Sequence, residues 1–168
     1  MHERPRFSIA PVRMPLDLTA AVELFRAYEA SLDIDLAYQN FEAEIDAMPG
    51  KYGLPAGELL LARSSDGTPV GCVGLRPLEP LACCEMKRLF VAPEARGSGL
   101  GQRLIDAILR EAEGIGYREM RLDTLPSMAR AITLYRKSGF EPIEPYYDTP
   151  ITGTIFMRRY LARPETSS

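Results

Sequence analysis

The sequence predicts a single α/β domain in which a central mixed, mostly antiparallel sheet of about seven strands is flanked by four helices. Size and balance point first to one folded unit. The 168 residues are 46% hydrophobic and 26% charged, with a net charge of −3, enough apolar material for one core and too evenly mixed for disorder. The apolar rhythm also switches repeatedly between the period of a strand and that of a helix. Finally, a glycine-rich loop at Arg96-Gly97-Ser98-Gly99-Leu100-Gly101 joins a strand to a helix in the middle of the chain.

In chain order, Phe7 and Ile9 alternate in a first strand that runs towards Met14, and Pro15 and Asp17 punctuate the start of a helix. Leu18, Ala21, Val22, Phe25 and Tyr28 then recur at spacings of three and four, giving one buried stripe. Phe41, Ile45 and Met48 share a face of a second helix, ended by Pro49-Gly50, with a loop over residues 51–57. Three β-prone runs follow at residues 58–63, 69–76 and 82–91, the first pair joined by a turn at Ser65-Asp66-Gly67. Leu104, Ile105, Ile108, Leu109 and Ala112 are helical in spacing, with Gly114 and Gly116 as the stop. Met120, Leu122 and Thr124 alternate as a strand. Met128, Ala131, Ile132, Leu134 and Tyr135 form a last helix closed by Gly139, and two strands near 140–147 and 154–161 complete the order. One domain over residues 1–162 and a flexible tail over 163–168 are expected, with Pro142, Pro145 and Pro150 giving the last third a sheet-edge character.

Composition excludes several classes of function. The single histidine is His2, in an N-terminal segment read as frayed, which removes Ser-His-Asp triads, Cys-His dyads and histidine-ligated metals, so no metal is expected. A pI near 5.3 argues against nucleic acid as a partner. Three cysteines, Cys72, Cys83 and Cys84, form no CxxC pair and suit reduced thiols. No apolar run approaches the length of a membrane span, so the expectation is a cytoplasmic protein, a monomer or homodimer, with no membrane partner.

The glycine loop is where chemistry enters. Between a strand and a helix, free backbone N–H groups and the positive helix end converge on an anion, and phosphate is the natural guest. Arg96 adds a cation and Ser98 a hydroxyl, while a helix start that merely favours glycine is the plainer alternative. Two familiar phosphate loops do not match. A GxGxxG read from Gly97 needs glycine where Gln102 stands, and there is no Gly-Lys-Ser/Thr ending, which argues against NAD and ATP.

The pattern Arg/Gln-x-x-Gly-x-Gly/Ala, met by Arg96, Gly99 and Gly101 after the strand end Leu89-Phe90-Val91, resembles the GNAT superfamily of acyl-CoA-dependent N-acetyltransferases. A second segment, Ala131-x-x-Leu134-Tyr135-x-x-x-Gly139-Phe140, resembles the helix and turn beside the thiol end of the cofactor in that family. The resemblance implies acetyl-CoA as cosubstrate, laid in as an added strand along Leu89, Phe90 and Val91, with its pyrophosphate cradled by the amides of Arg96, Gly97, Ser98, Gly99, Leu100 and Gly101. One departure is Met128, at a position where many members carry an asparagine that bonds the cofactor.

Acetyl transfer to an amine needs a proton acceptor and a donor to the departing sulfur. By the resemblance these are Glu85, eleven residues before Arg96, as general base, and Tyr135 as general acid. The alternatives are a surface charge paired with Lys87 for Glu85 and a core aromatic for Tyr135. A covalent route through Cys83 or Cys84 lacks an activating histidine. The acceptor is expected to be a small-molecule amine, met by Tyr28, Tyr38, Gln39, Asn40, Tyr146, Tyr147 and Asp148, with Arg76 and Lys87 available for a carboxylate. Residues 51–57 are expected to cover the cleft in part, which favours a small acceptor. Acetylation of protein N-termini or lysines, and a non-catalytic acyl-CoA sensor, stay open.

Overall fold

In a computed structural model describing residues 6–32, 34–78 and 82–162, the chain follows the expected order. It runs β1 (Phe7–Pro11), α1 (Pro15–Ser31), a 3₁₀ turn (Leu36–Gln39), α2 (Phe41–Asp46), β2 (Glu58–Ser64), β3 (Pro69–Leu78) and β4 (Cys83–Val91). Then come α3 (Leu100–Ile115), β5 (Glu119–Thr124), α4 (Ala129–Lys137), β6 (Glu141–Ile143) and β7 (Ile155–Tyr160). The strands form one sheet in the order β1-β2-β3-β4-β5-β7-β6, antiparallel except where β4 and β5 pair in parallel. His2 and the expected tail over 163–168 lie outside the described residues.

The register decides what each face carries. Arg76 pairs Glu85, Gly74 pairs Lys87 and Glu85 pairs Arg121, so Gly74, Arg76, Glu85, Lys87, Arg121 and Asp123 share one face. The Tyr52 ring packs on that face against Gly74, where a Cβ would lie 2.6 Å from the ring, and Phe25 of α1 meets Tyr52 edge-on. On the opposite face a Cβ on Gly71 would meet Leu104 of α3 at 3.1 Å, and Met120, Leu122 and Thr124 point that way. Two helical layers therefore cover the sheet, α1 and α2 on the charged face, α3 and α4 on the apolar one.

Helix α3 carries its core stripe as its sequence dictates, with Leu104, Ile105, Ile108, Leu109 and Ala112 all buried. It ends at Gly116, whose φ of 110° supplies the left-handed turn, while Gly114 lies inside the helix. In α1 the fully packed residues are Ala20, Ala21, Leu24 and Phe25, with Leu18, Val22 and Tyr28 at the stripe's margin. The strand expected over 140–147 stops at Ile143, because Pro142 is tolerated only at an edge and Pro145 cannot donate to a ladder. The irregular segment that follows returns Tyr146 and Tyr147 over the charged face, where both rings meet Phe156 at 5.1 Å.

Candidate active site

The parallel pairing of β4 and β5 lasts only from Cys83 to Glu85 on β4 and from Glu119 to Arg121 on β5. Beyond that the strands part, leaving the β4 edge from Met86 to Val91 and the β5 edge from Leu122 to Thr124 facing one another without ladder bonds. A cleft opens in the gap, lined by Tyr28, Leu32, Ile34, Leu36 and Gln39 above, Met86, Lys87, Arg88 and Leu89 on β4, and Asp123, Thr124, Leu125, Met128 and Tyr135 opposite. It is narrow, with about 30 Å³ of free volume, room for about two water molecules.

A bulge shapes the β4 side. Gly74 pairs Lys87 and Cys72 pairs Phe90, so β4 holds one residue more than β3 over this stretch. Arg88 takes the strain, with φ of 61°. The extra residue turns the Arg88 side chain onto the charged face, beside that of Lys87, and moves Phe90 to the same side, where its ring meets Tyr28 at 6.3 Å. Leu89 and Val91 then face α3 and α4.

The charged face holds a continuous polar chain. Tyr146 donates to Glu85 Oε2 at 2.6 Å, and Arg76 Nε donates to Glu85 Oε1 at 2.8 Å. Arg76 also reaches Glu44 at 3.6 Å, and Arg88 grips Glu44 with two nitrogens at 3.0 and 3.1 Å. Tyr52 adds a third donor to Glu44 at 3.1 Å. Gln39 Oε1 accepts from Arg88 at 2.9 Å and from Lys87 at 3.3 Å; Lys87 pairs Asp123 at 3.2 Å, and Tyr147 donates to Asp123. Three cations and three carboxylates thus balance, as buried charges must. Burial works to raise the Asp123 carboxyl, but the Lys87 ammonium and the Tyr147 hydroxyl outweigh it, and Asp123 stays below the ordinary carboxylate range.

Most of the expected site residues meet here, though not all where expected. Tyr28, Lys87, Leu89, Met128 and Tyr135 line the cleft. Glu85 does not. It is 1% exposed, at the last paired position of β4, paired with Arg76 rather than with Lys87 or solvent. Arg76 and Lys87 are not spare cations, since each is already matched to a carboxylate. The Tyr135 ring packs against Phe140 at 5.9 Å, and its hydroxyl makes no hydrogen bond among the described residues. Burial, then Tyr28 and Asp123, push that phenol far above its ordinary pKa, so it keeps its proton at neutral pH. Asn40 serves as a left-handed joint between the 3₁₀ turn and α2, Asp148 is exposed, and the Tyr38 side chain lies outside the described residues. Residues 51–57 do not line the cleft; Leu32, Ile34 and Leu36 cover it instead. Residues 51–57 pack elsewhere: Tyr52 lies on Gly74, and Ala56 accepts from Tyr117. Arg88, Glu44 and Asp123 escaped the sequence reading; only the alternation of β5, which sets Asp123 opposite Leu122, pointed to one of them.

At the end of β4 the chain turns through a short 3₁₀ segment (Pro93–Ala95) into the loop. Gly97 and Gly99 have φ of 79° and 85°, with nothing within 4 Å of a Cβ, so glycine serves the backbone conformation there. Gly101 differs: its Cβ would meet Leu134 of α4 at 3.0 Å, which makes it a packing glycine that seats α4 on α3. Leu100 is buried, so only its backbone is offered to a ligand. Arg96 Nε donates to the Val91 carbonyl at 3.1 Å, holding the guanidinium at the mouth of the gap. Among the described residues, the amides of 97–99 donate to no backbone carbonyl, and the first-turn amides of α3 have no intrahelical partner.

A family model described as Acetyltransferase (GNAT) family matches residues 19–140, taking in the covering helix, the bulge, the loop and Tyr135. The chain belongs to the GNAT acetyltransferase family. This GNAT protein is 40% identical over 163 residues to an uncharacterised N-acetyltransferase of Schizosaccharomyces pombe, covering 97% of this chain and 100% of the relative. An IAA acetyltransferase of Azospirillum brasilense is 40% identical over 105 residues, 61% of this chain and 67% of that one. Among solved structures, an acyl-CoA N-acyltransferase from Klebsiella pneumoniae superposes with a TM-score of 0.72 at 26% identity, covering 93% and 98% of the two chains. A GNAT acetyltransferase from Staphylococcus aureus shares the fold, with a TM-score of 0.77 at 19% identity over 94% and 100%. The chain is therefore an acyl-CoA-dependent N-acetyltransferase.

GNAT acetyltransferases use acetyl-CoA, and this GNAT site fits it on three counts: a β4 edge from Met86 to Val91 that is unpaired on the β5 side, a loop whose amides at 97–99 donate to no backbone carbonyl and whose glycines leave open space where Cβ atoms would stand, and a buried hydroxyl in the gap with no partner among the described residues. Among the described residues no cluster able to hold a metal is present, and no helix is long and apolar enough to cross a membrane. The acyl-cysteine route finds no support: burial, with Glu119 nearby, pushes the Cys83 thiol up to about 11, and burial raises Cys72 and Cys84 further, leaving no thiolate at neutral pH.

Proposed function

We propose that the protein moves an acetyl group from acetyl-CoA to the primary amine of a small polar molecule by direct attack, without a covalent enzyme intermediate. The observation that carries this reading is the parting of β4 and β5, which leaves an edge for the arm, a proton-bearing Tyr135 hydroxyl on one side and a balanced polar chain on the other. Acetyl-CoA supplies an acetyl thioester when bound. Met86 to Val91 hold the arm, the amides of 97–101 hold the pyrophosphate, and Arg96 adds its charge. Tyr135 donates its proton towards the sulfur as negative charge gathers there.

Glu85 serves as the base through Tyr146. Both carboxylate oxygens already accept from donors, and the phenol is the one that can pass a proton on: Tyr146 hands its own to Glu85 Oε2 while its oxygen takes one from the acceptor ammonium. Burial and the Glu85 charge hold the Tyr146 phenol far above its ordinary pKa, so it relays protons without resting as phenolate. The acceptor enters on the charged face, between Tyr28, Lys87, Tyr146 and Tyr147. A narrow cleft lined by an ion pair suits a small polar amine better than an extended peptide. Three free, buried thiols suit a reducing cytoplasm.

A panel of small amines, amino acids and peptide N-termini, assayed with acetyl-CoA for release of thiol, tests the reading. Turnover confined to peptides would replace the small acceptor with a protein. Against the best amine, Glu85→Gln and Tyr146→Phe should each lower the rate at neutral pH by about 10²-fold or more. A Tyr146→Phe rate near wild type with a slow Glu85→Gln would transfer the relay to water.

A further inference from the structure

We propose that Thr124 binds an amide of the cosubstrate's pantetheine arm, in the place where Met128 offers no hydrogen bond; the inference rests on the acetyl-CoA reading above. Thr124 is 5% exposed, and its Oγ1 is buried with no hydrogen-bond partner among the described residues. Polar atoms left in that state are uncommon and unfavourable, so they mark places where a partner arrives from outside the fold. Among the described residues the other such atom is Oε1 of Gln102, which lies away from the cleft, whereas Thr124 lines it.

Register fixes where along the gap this hydroxyl stands. Glu85 pairs Arg121, and carrying the parallel strands forward in step sets Thr124 opposite Arg88, at the bulge, about 10 Å beyond the last paired residues. A linear arm entering from the loop at 96–101 runs along Val91 and Leu89 and comes level with Thr124 before it reaches the Glu85 end. The face also selects the ligand. Thr124 points to the side of α3 and α4, as Met120 and Leu122 do, while Asp123, Lys87 and Gln39 occupy the acceptor side. A hydroxyl on the α4 side meets the arm and not the acceptor: Lys87, Gln39 and Asp123 on the opposite wall satisfy one another, and the gap's other unbonded hydroxyl, that of Tyr135, is assigned to the sulfur in the reading above. Amides are the polar groups of such an arm, and a threonine can donate to the carbonyl or accept from the N–H. Met128, at the start of α4 on the same wall, has only a thioether to offer.

Calorimetry with two ligands tests this. CoA carries the arm, whereas adenosine 3′,5′-bisphosphate carries the nucleotide part without it. Thr124→Val keeps the shape and removes the hydroxyl; it should weaken CoA about five- to tenfold and leave the bisphosphate unchanged. The free variant should melt no lower than wild type, since a hydroxyl without a partner contributes nothing to the free fold. Thr124→Ser should restore CoA affinity, which guards against a valine that packs badly. Unchanged CoA affinity in Thr124→Val would overturn the proposal, as would equal weakening of both ligands, or a change confined to the KM of the acceptor. Failure of the wild type to bind CoA would instead overturn the cosubstrate reading on which it stands.

Discussion

Lys87 and Arg88 are consecutive in a β-strand, yet both donate to the same oxygen, Oε1 of Gln39, at 3.3 and 2.9 Å. Regular pleating would send them to opposite faces. The bulge removes that alternation, with Arg88 at a φ of 61° that a non-glycine residue adopts only when its surroundings hold it there. What holds it is the grip on Glu44 together with the rings of Phe41 and Tyr28, 5.1 and 5.9 Å from the guanidinium carbon. The backbone that would receive the arm is thus tied to the helices that would cover the acceptor.

Glu44→Gln should therefore cost more stability than a surface change. Arg88 would remain buried with its charge uncompensated, a situation worth about 3–5 kcal/mol when one partner of a buried pair is removed. Urea unfolding measures it, and pairing the change with Arg88→Met should recover part of the loss. A single variant within about 1 kcal/mol of wild type would show that Gln39 and the two rings suffice to anchor the bulge.

The element order and the face of each helix were legible because alternation and helical spacing are local properties, as in the stripe from Leu104 to Ala112. That the glycine loop opens α3 and that Tyr135 stands on α4 were legible because spacing along the chain places them. The polar chain was not. It depends on a one-residue insertion at Arg88, which no local pattern announces, and on Glu44 arriving from a helix far away in sequence. Glu85 was singled out by the resemblance and its spacing to Arg96, and the alternative that paired it with Lys87 named the wrong partner: Lys87 shares its face, yet the cross-strand neighbour Arg76 is nearer than a residue two positions along the same strand. The covering role given to residues 51–57 failed for the same reason, since Gly74 provides a seat for Tyr52 that only the folded register reveals.

The loop glycines should separate by cause. Gly99→Ala introduces strain at a φ of 85° but meets no neighbour, so the fold should lose about 1–2 kcal/mol. Gly99→Glu adds bulk and negative charge where the proposed reading seats the pyrophosphate, and CoA affinity measured by calorimetry should fall at least tenfold while the variant stays folded. Unaltered affinity would remove the pyrophosphate from this loop. Gly101→Val, by contrast, should disturb stability first, through the 3.0 Å approach to Leu134.

Acid should report on Asp123. Its carboxyl sits below the ordinary range in the folded chain despite burial, because of Lys87 and Tyr147. A group lowered in this way stabilises the fold fully above the unfolded value of about 3.9, and that contribution vanishes as pH falls through the lower folded value. Asp123→Asn should be less stable than wild type at neutral pH by about 3 kcal/mol or more, as Lys87 loses its counter-charge, and should lose less on acidification. Parallel stability curves for the two proteins between neutral pH and pH of about 2 would show that the pair is not coupled to folding.

Tyr135→Phe distinguishes a chemical hydroxyl from a structural one. The ring is held by Phe140 and by its burial, and the hydroxyl makes no hydrogen bond among the described residues, so its removal should leave the melting temperature and CoA affinity nearly unchanged. Turnover should nevertheless fall, by about 10²-fold, because the proton matters when charge gathers on sulfur. The loss should appear in kcat, with KM for the acceptor little altered, as expected for an interaction made only in the transition state. A slower variant whose rate is restored by a better-leaving thioester would strengthen the assignment, since a stable thiolate has less need of a donor. Normal kcat with a lower melting temperature would make the hydroxyl an anchor for α4 and leave the sulfur to be protonated by solvent.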